Sequence, residues 1–206
     1  MDNRFEHIDM KNEKVYKIVN SAFEVFSKND LEKASTNMVV KQAGISRGLL
    51  YHYFKDKQEL FDFLLYFSIK ESITGLDEKI NWEDSDFINR LRQVIIIKLE
   101  HIQRYPYMME FYDKYANKLT KSFINQHVET ISPGIRERVY SYNIDFSQVK
   151  ESIDFDKMVN VIKLTLKGII EEYLEMIRAR NEKFEADVII DKCDEYFTFF
   201  REQFFI

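Results

Sequence analysis

Apolar residues return every three or four positions through residues 15–26, where Val15, Ile18, Val19, Ala22, Phe23 and Phe26 share one face. That spacing predicts an amphipathic helix with a single buried stripe. The polar run Ser27-Lys28-Asn29-Asp30 closes it, with Asn29 or Asp30 expected in the left-handed conformation that stops a helix. Ser35 reads as the N-cap of a short helix through Ala43 that buries Val39 and Val40. Gly44 ends that helix, because glycine reaches positive φ at little cost. Ser46 caps again two residues later. Two short helices across a glycine turn predict a helix-turn-helix.

The second of these runs from about Arg47 to Phe54, with Leu50, Tyr53 and Phe54 inward and Arg47, Gly48, Leu49, Tyr51 and His52 outward. Asp56 and Glu59 form a capping-box pattern that opens a long helix carrying Leu60, Phe61, Leu64, Leu65, Phe67 and Ile69. That helix is apolar on more than one side, so it packs in more than one direction. Helical spacing continues over 86–104, is broken by Pro106, and resumes over 107–126. Residues 130–154 are less regular and predict one or two short helices with a loop. Long helices follow over 155–180, capped by Asp154, and over 186–205. Neither internal repeat nor low-complexity linker interrupts the pattern. The expected fold class is all-α.

Composition supports this reading. Among 206 residues there are only five Gly and two Pro, too little punctuation for a many-turned sandwich. Hydrophobic content of 45% is too high for a disordered chain. One cysteine, Cys193, cannot build an internal disulfide framework. The first residues are too charged for a secretory signal, and apolar runs such as Val94–Ile97 fall far short of a membrane span of roughly 20 residues. A cytoplasmic protein is expected, with no membrane partner.

Charge changes the picture. The net charge is -5, yet Lys33, Lys41, Arg47, Lys55 and Lys57 face only Asp56 between residues 33 and 57. That stretch therefore carries +4 and leaves -9 to the rest. A charge run is ordinarily a solvated face, but one beside a helix-turn-helix fits a small surface that meets a polyanion. Catalytic chemistry finds no purchase. His7, His52, His101 and His127 are scattered without a ligand spacing, and no Gly-rich phosphate loop is present. Cys193 has Asp191, Asp194 and Glu195 for neighbours, which oppose thiolate formation. No enzyme activity, cofactor or metal is expected.

The segment from Phe26 and Asp30 through "STNMVVKQAGISRGLLYHYFKDKQEL" resembles the N-terminal domain of the TetR family of transcriptional regulators. Ala43-Gly44-Ile45-Ser46 matches the family's turn, Leu50-Tyr51-His52-Tyr53-Phe54 its aromatic block, and Lys57-Gln58-Glu59-Leu60 the start of its next helix. The likeness covers about residues 12–65; beyond residue 70 only the helical layout is similar. Asp30 stands where the family usually has glycine, Leu31 where it has an aromatic residue, and Val40 where it has alanine. The resemblance implies a helix-turn-helix domain over 1–56 and a helical ligand-binding and dimerisation domain over 57–206.

A helix of this width fits the major groove, with its N-terminal residues at the base edges. Arg47 is the candidate for a guanine, Leu49 could meet a thymine methyl, and Gly48 lets the backbone approach. Ser35, Thr36 and Ser46, at helix starts, are phosphate candidates. The resemblance implies similar contacts for Tyr51, His52, Lys55 and Lys57.

It further implies a homodimer on a pseudo-palindromic duplex, built from the last two helices. Met158, Thr165, Ile169 and Tyr173 on one, with Val188, Tyr196, Phe199 and Phe200 on the other, are the candidate interface, although one thick monomeric core would show the same spacing. A small, largely apolar ligand that releases DNA is implied for the middle helices. Phe67, His101, Tyr105, Met108, Phe111, Tyr112, Phe123 and Ile162 are its candidate contacts, and plain core is the alternative for each. A helical adaptor that keeps the fold without reading an operator is the competing function.

Overall fold

A computed structural model describes residues 3–116 and 127–206. Asn12 accepts a hydrogen bond from the Lys14 N–H at 2.9 Å and opens α1, Glu13–Lys28. Val15, Ile18, Val19, Ala22, Phe23 and Phe26 are fully buried, so the apolar stripe is the core face. The expected left-handed stop is absent. Asn29 is extended, with φ -125°, and both its backbone N–H and its side-chain amide donate to the Val25 carbonyl. Asp30 is not among the residues with positive φ either. The amide side chain satisfies the helix end, so the backbone has no need to turn left-handed.

Ser35 caps α2, Thr36–Ala43, which ends at Gly44 with φ +64°. Val39 is buried, while Val40 is only half-buried. Ser46 caps α3, Arg47–Tyr53, and Asp56 caps α4, Lys57–Lys79, through the Glu59 N–H at 2.9 Å. The Glu59 carboxylate returns to the Lys55 N–H, one residue before the place a capping box would give it. Among the described residues follow α5 (Phe87–Arg104), α6 (Met108–Ala116), α7 (Ile135–Ser141), α8 (Phe155–Arg180) and α9 (Ala186–Phe204), with helical residues 127–131 ahead of α7. Between α7 and α8 lies a 3-10 turn at Phe146–Gln148, and a bridge pairs Val149 with Phe205. The fold is all-α.

Two compact units emerge from the packing. The first comprises Met1–Glu78 with Arg104–Ile135. Its core places Phe23, Phe26, Phe61, Phe111 and Tyr115 edge to face, with ring centroids 4.8–6.4 Å apart. α4 buries Leu60, Phe61, Phe63, Leu64, Leu65 and Phe67, an apolar surface on several sides. It therefore belongs to this unit through Glu78, and the boundary drawn at residue 57 from sequence is not where packing divides the chain. α6 grips the end of α1. Lys114 donates to the carbonyls of Ser27 and Phe26 at 3.0 and 3.3 Å, and the Tyr115 hydroxyl lies 3.2 Å from those of Phe26 and Asn29.

The packing places most of the expected ligand contacts inside the two units. Phe67, Tyr105, Met108 and Phe111 are buried in the first unit's core. Tyr112 is half-buried there. His101 and Ile162 are buried in the second unit, and Phe123 lies outside the described residues. Helical spacing identifies inward residues but cannot separate core from pocket.

The second unit comprises Lys79–Gln103 with Arg136–Ile206. α8 and α9 are antiparallel neighbours joined by a short turn, in which Asn181 is left-handed (φ +53°) and the Tyr173 hydroxyl accepts from the Glu185 N–H. Arg92 and Arg201 each fork onto a carboxylate, Asp194 and Asp86 respectively, at 2.7–2.9 Å. Arg90 is fully buried, its guanidinium 5.0 Å from the Trp82 ring centre and donating to the carbonyls of Asp84 and Tyr142.

The expected dimer face is also redrawn. Met158, Ile169 and Phe200 are 2%, 5% and 1% exposed, so they belong to the unit's own core. The apolar residues left in water are Val161 and Leu164 on α8 and Val188, Tyr196 and Phe199 on α9. Thr165 is half-buried and donates back to the Val161 carbonyl, and Tyr173 is half-buried. α8 is apolar on several faces, and its exposed row lies beside the row that spacing selects.

Candidate nucleic-acid interface

Gly44 and Ser46 set the site's geometry. The left-handed glycine ends α2 abruptly, and the Ser46 hydroxyl accepts from the Leu49 N–H at 3.2 Å, so α3 departs at a new angle. Leu50 anchors α3 at 0% exposure, and Phe54 just beyond it is buried as well. Tyr53, expected inward, is half-buried instead, with its hydroxyl 3.3 Å from the Asn12 amide.

With that side fixed, the opposite side faces water. Ser46, Arg47, Gly48, Tyr51 and His52 are exposed, and Leu49 is half-buried between them. A methyl group added at Gly48 would touch nothing. The Arg47 guanidinium lies 5.6 Å from the centre of the Tyr51 ring. The Tyr51 hydroxyl lies 3.1 Å from Thr36 Oγ1, joining α3 to the first residue of α2. Hydrogen bonding to Thr36, then to Arg47, lowers the Tyr51 phenol from its ordinary pKa. Thr36 itself is 9% exposed, so its hydroxyl faces Tyr51 more than water. Ser35 is half-buried, and its side chain accepts from the Met38 N–H.

The lysines divide. Lys55 is exposed. Lys57, expected to meet phosphate, instead donates to the carbonyls of Leu31 and Ala34 at 2.7 and 3.0 Å. Those carbonyls close the α1–α2 connection and need donors, which the Lys57 ammonium supplies from the first turn of α4. No spacing rule signals that contact, because its residues are 26 and 23 positions apart. Spacing places Arg47 and Tyr51 on one helix face but gives no sign that Tyr51 also reaches Thr36, 15 positions away. The surface that remains is a short helix with one cation at its first turn, small or aromatic neighbours, and Lys33, Lys41 and Lys55 exposed nearby in sequence. Such a surface can meet phosphates with its cations and base edges with a guanidinium.

The chain is similar to known proteins over this surface and beyond it. Residues 18–64, which hold every residue of the surface just described, match the family described as bacterial regulatory proteins, tetR family. A nucleoid occlusion factor, SlmA of Vibrio cholerae, is 25% identical over 191 residues, covering 90% of this chain and 93% of its own. A fatty acid metabolism regulator protein of Bacillus subtilis is 21% identical, covering 85% and 89%. Among solved structures, the ketosteroid transcriptional regulator KstR2 of Mycobacterium tuberculosis superposes with a TM-score of 0.66 at 16% identity, over 95% of this chain and 96% of that one. A TetR family transcriptional regulator of Chloroflexus aurantiacus gives 0.59 at 17% identity, over 94% of each chain. Residues 18–64 therefore carry the helix-turn-helix domain of the tetR family of bacterial regulatory proteins, and the chain has the fold of a TetR family transcriptional regulator along nearly its whole length.

Proposed function

We propose that the protein is a ligand-responsive repressor that binds a pseudo-palindromic operator as a homodimer. The observation that carries the reading is the exposed side of α3, where Arg47, Gly48, Tyr51 and His52 share a surface on a helix anchored by Leu50. Arg47 reads a guanine edge. Leu49 meets an apolar base edge, and Ser35, Ser46, His52 and Lys55 contact the backbone, with the Thr36 hydroxyl turned to Tyr51. One such helix covers only a few base pairs, so two are needed. Val161, Leu164, Val188, Tyr196 and Phe199 supply an exposed apolar surface for pairing α8 and α9 with a second copy, and Gly168 is exposed in the same helix.

A ligand is supported by Tyr105. Its ring is 1% exposed and its hydroxyl has no hydrogen-bond partner among the described residues, a cost that an acceptor on a small apolar molecule would relieve. The name of the Bacillus relative favours an acyl compound. Such a ligand acts on DNA only if it binds the released form more tightly. The grip of Lys114 and Tyr115 on the end of α1 is a route by which a shift of α6 reaches the DNA-reading helices. The protein acts by binding rather than by catalysis, in the cytoplasm, where no described helix is long and apolar enough to cross a membrane.

Selection of bound duplexes from a random pool tests the reading. Enrichment of one inverted repeat supports it; failure to retain any duplex would favour a helical adaptor. The similarity to a nucleoid occlusion factor favours a second reading, in which DNA binding places the protein on the nucleoid. Recovery of crosslinked chromosomal fragments separates the two: a few promoters for a repressor, sites scattered without regard to promoters for the alternative.

A further inference from the structure

We propose that Tyr51 is a positioning residue that presents the Arg47 guanidinium to a base, through a ring pinned to α2 by Thr36. The inference rests on the DNA-reading assignment of Arg47. Residues four apart lie on one face of a helix, and side chains lean toward its N-terminus, so the Tyr51 ring covers the turn that carries Arg47. The guanidinium carbon is 5.6 Å from the ring centre, within reach of cation–π attraction. One edge of the guanidinium leans on the Tyr51 hydroxyl, and its five N–H donors leave enough for the O6 and N7 acceptors of a guanine.

The ring is a fixed platform because it is held at both ends. Its Cα belongs to α3, while its hydroxyl lies 3.1 Å from Thr36 Oγ1 on α2. Thr36 is itself nearly buried, so it has few other rotamers to offer. Tyr51 is 39% exposed, and these two contacts fix the direction of its ring. A solvated arginine must surrender rotamers when it docks; one already stacked surrenders fewer, and so discriminates better. The pose of the reading side chain is thereby tied to both helices of the motif.

The test uses the full chain and a duplex selected from a random pool, with each guanine replaced in turn by 7-deazaguanine, which lacks the N7 acceptor. The unsubstituted protein is expected to lose about tenfold in affinity at the guanine that Arg47 reads. Arg47→Ala should not distinguish the two duplexes, and Tyr51→Leu should keep less than about a third of the ratio. Tyr51→Phe and Thr36→Val, which release the platform without removing it, should each lower the ratio by about twofold. They carry the test should Tyr51→Leu lose its helical signal. The proposal is overturned if the Tyr51 and Thr36 variants weaken both duplexes equally and leave the ratio intact, which would make Tyr51 a phosphate contact alone. A ratio that survives in Arg47→Ala would instead remove the base-reading assignment of Arg47.

Discussion

The Lys57 ammonium lies 2.7 Å from the carbonyl oxygen of Leu31 and donates a hydrogen bond to it, with the Ala34 carbonyl as a second acceptor. A cation that sequence position would assign to DNA is thus part of the frame that holds α1 and α2 together. Lys57→Ala should cost about 1–2 kcal/mol in urea unfolding, the range for a partly buried charged hydrogen bond. The salt slope of duplex binding should change by well under one unit. A full unit, with stability unaltered, would return Lys57 to the phosphate contacts.

Arg47→Ala should remove about 1–3 kcal/mol of discrimination at one base pair. Stability should move by less than about 0.5 kcal/mol, since the side chain is exposed. Competition between the selected duplex and single-base variants measures this, and equal loss on all duplexes would contradict it.

Leu164→Glu and Phe199→Glu place charges on the exposed apolar row and should weaken self-association by at least about 30-fold in sedimentation equilibrium. Phe200→Glu places one in a side chain 1% exposed and should unfold the second unit instead. If Phe199→Glu left the association constant unchanged, another face would be the interface.

Burial pushes the Tyr105 phenol from 10.0 up to about 12. An acid whose folded value is raised holds its proton more tightly in the native state. Stability is therefore unaffected below pH 10 and is lost as pH climbs toward 12, by up to about 3 kcal/mol. Tyr105→Phe should abolish that part of the alkaline slope. Near neutral pH it should be neutral or stabilising by up to about 1 kcal/mol, because the hydroxyl has no partner among the described residues to lose. A loss above 1 kcal/mol at neutral pH would show that the hydroxyl is satisfied.

The helix-turn-helix was legible because its signals are local. Ser35, Gly44, Ser46 and Asp56 act on residues within a turn of themselves, and each caps or ends a helix as its chemistry dictates. Asp154 does the same for α8. What stayed hidden depends on partners distant in sequence. Nothing near Asn29 announces that its amide will return to Val25 in place of a left-handed turn. Nothing near Tyr105, Met108 or Phe111 announces that they pack beside Phe23 and Phe67 as core. On α8, apolar residues occupy several faces, so Met158 and Ile169 could not be separated from Val161 and Leu164 until burial was known.

Gly48 sits inside α3 with empty space where a methyl group would go. Alanine there should raise stability by up to about 1 kcal/mol, since glycine is a poor helix former. The fold gains nothing from glycine at this place, since no described atom beyond its own neighbours along the helix lies within 4 Å of where a methyl group would sit. The bare backbone makes sense as clearance for a visitor: α3 gives up rigidity at the one spot where a foreign surface, and not its own neighbours, decides how close is close enough.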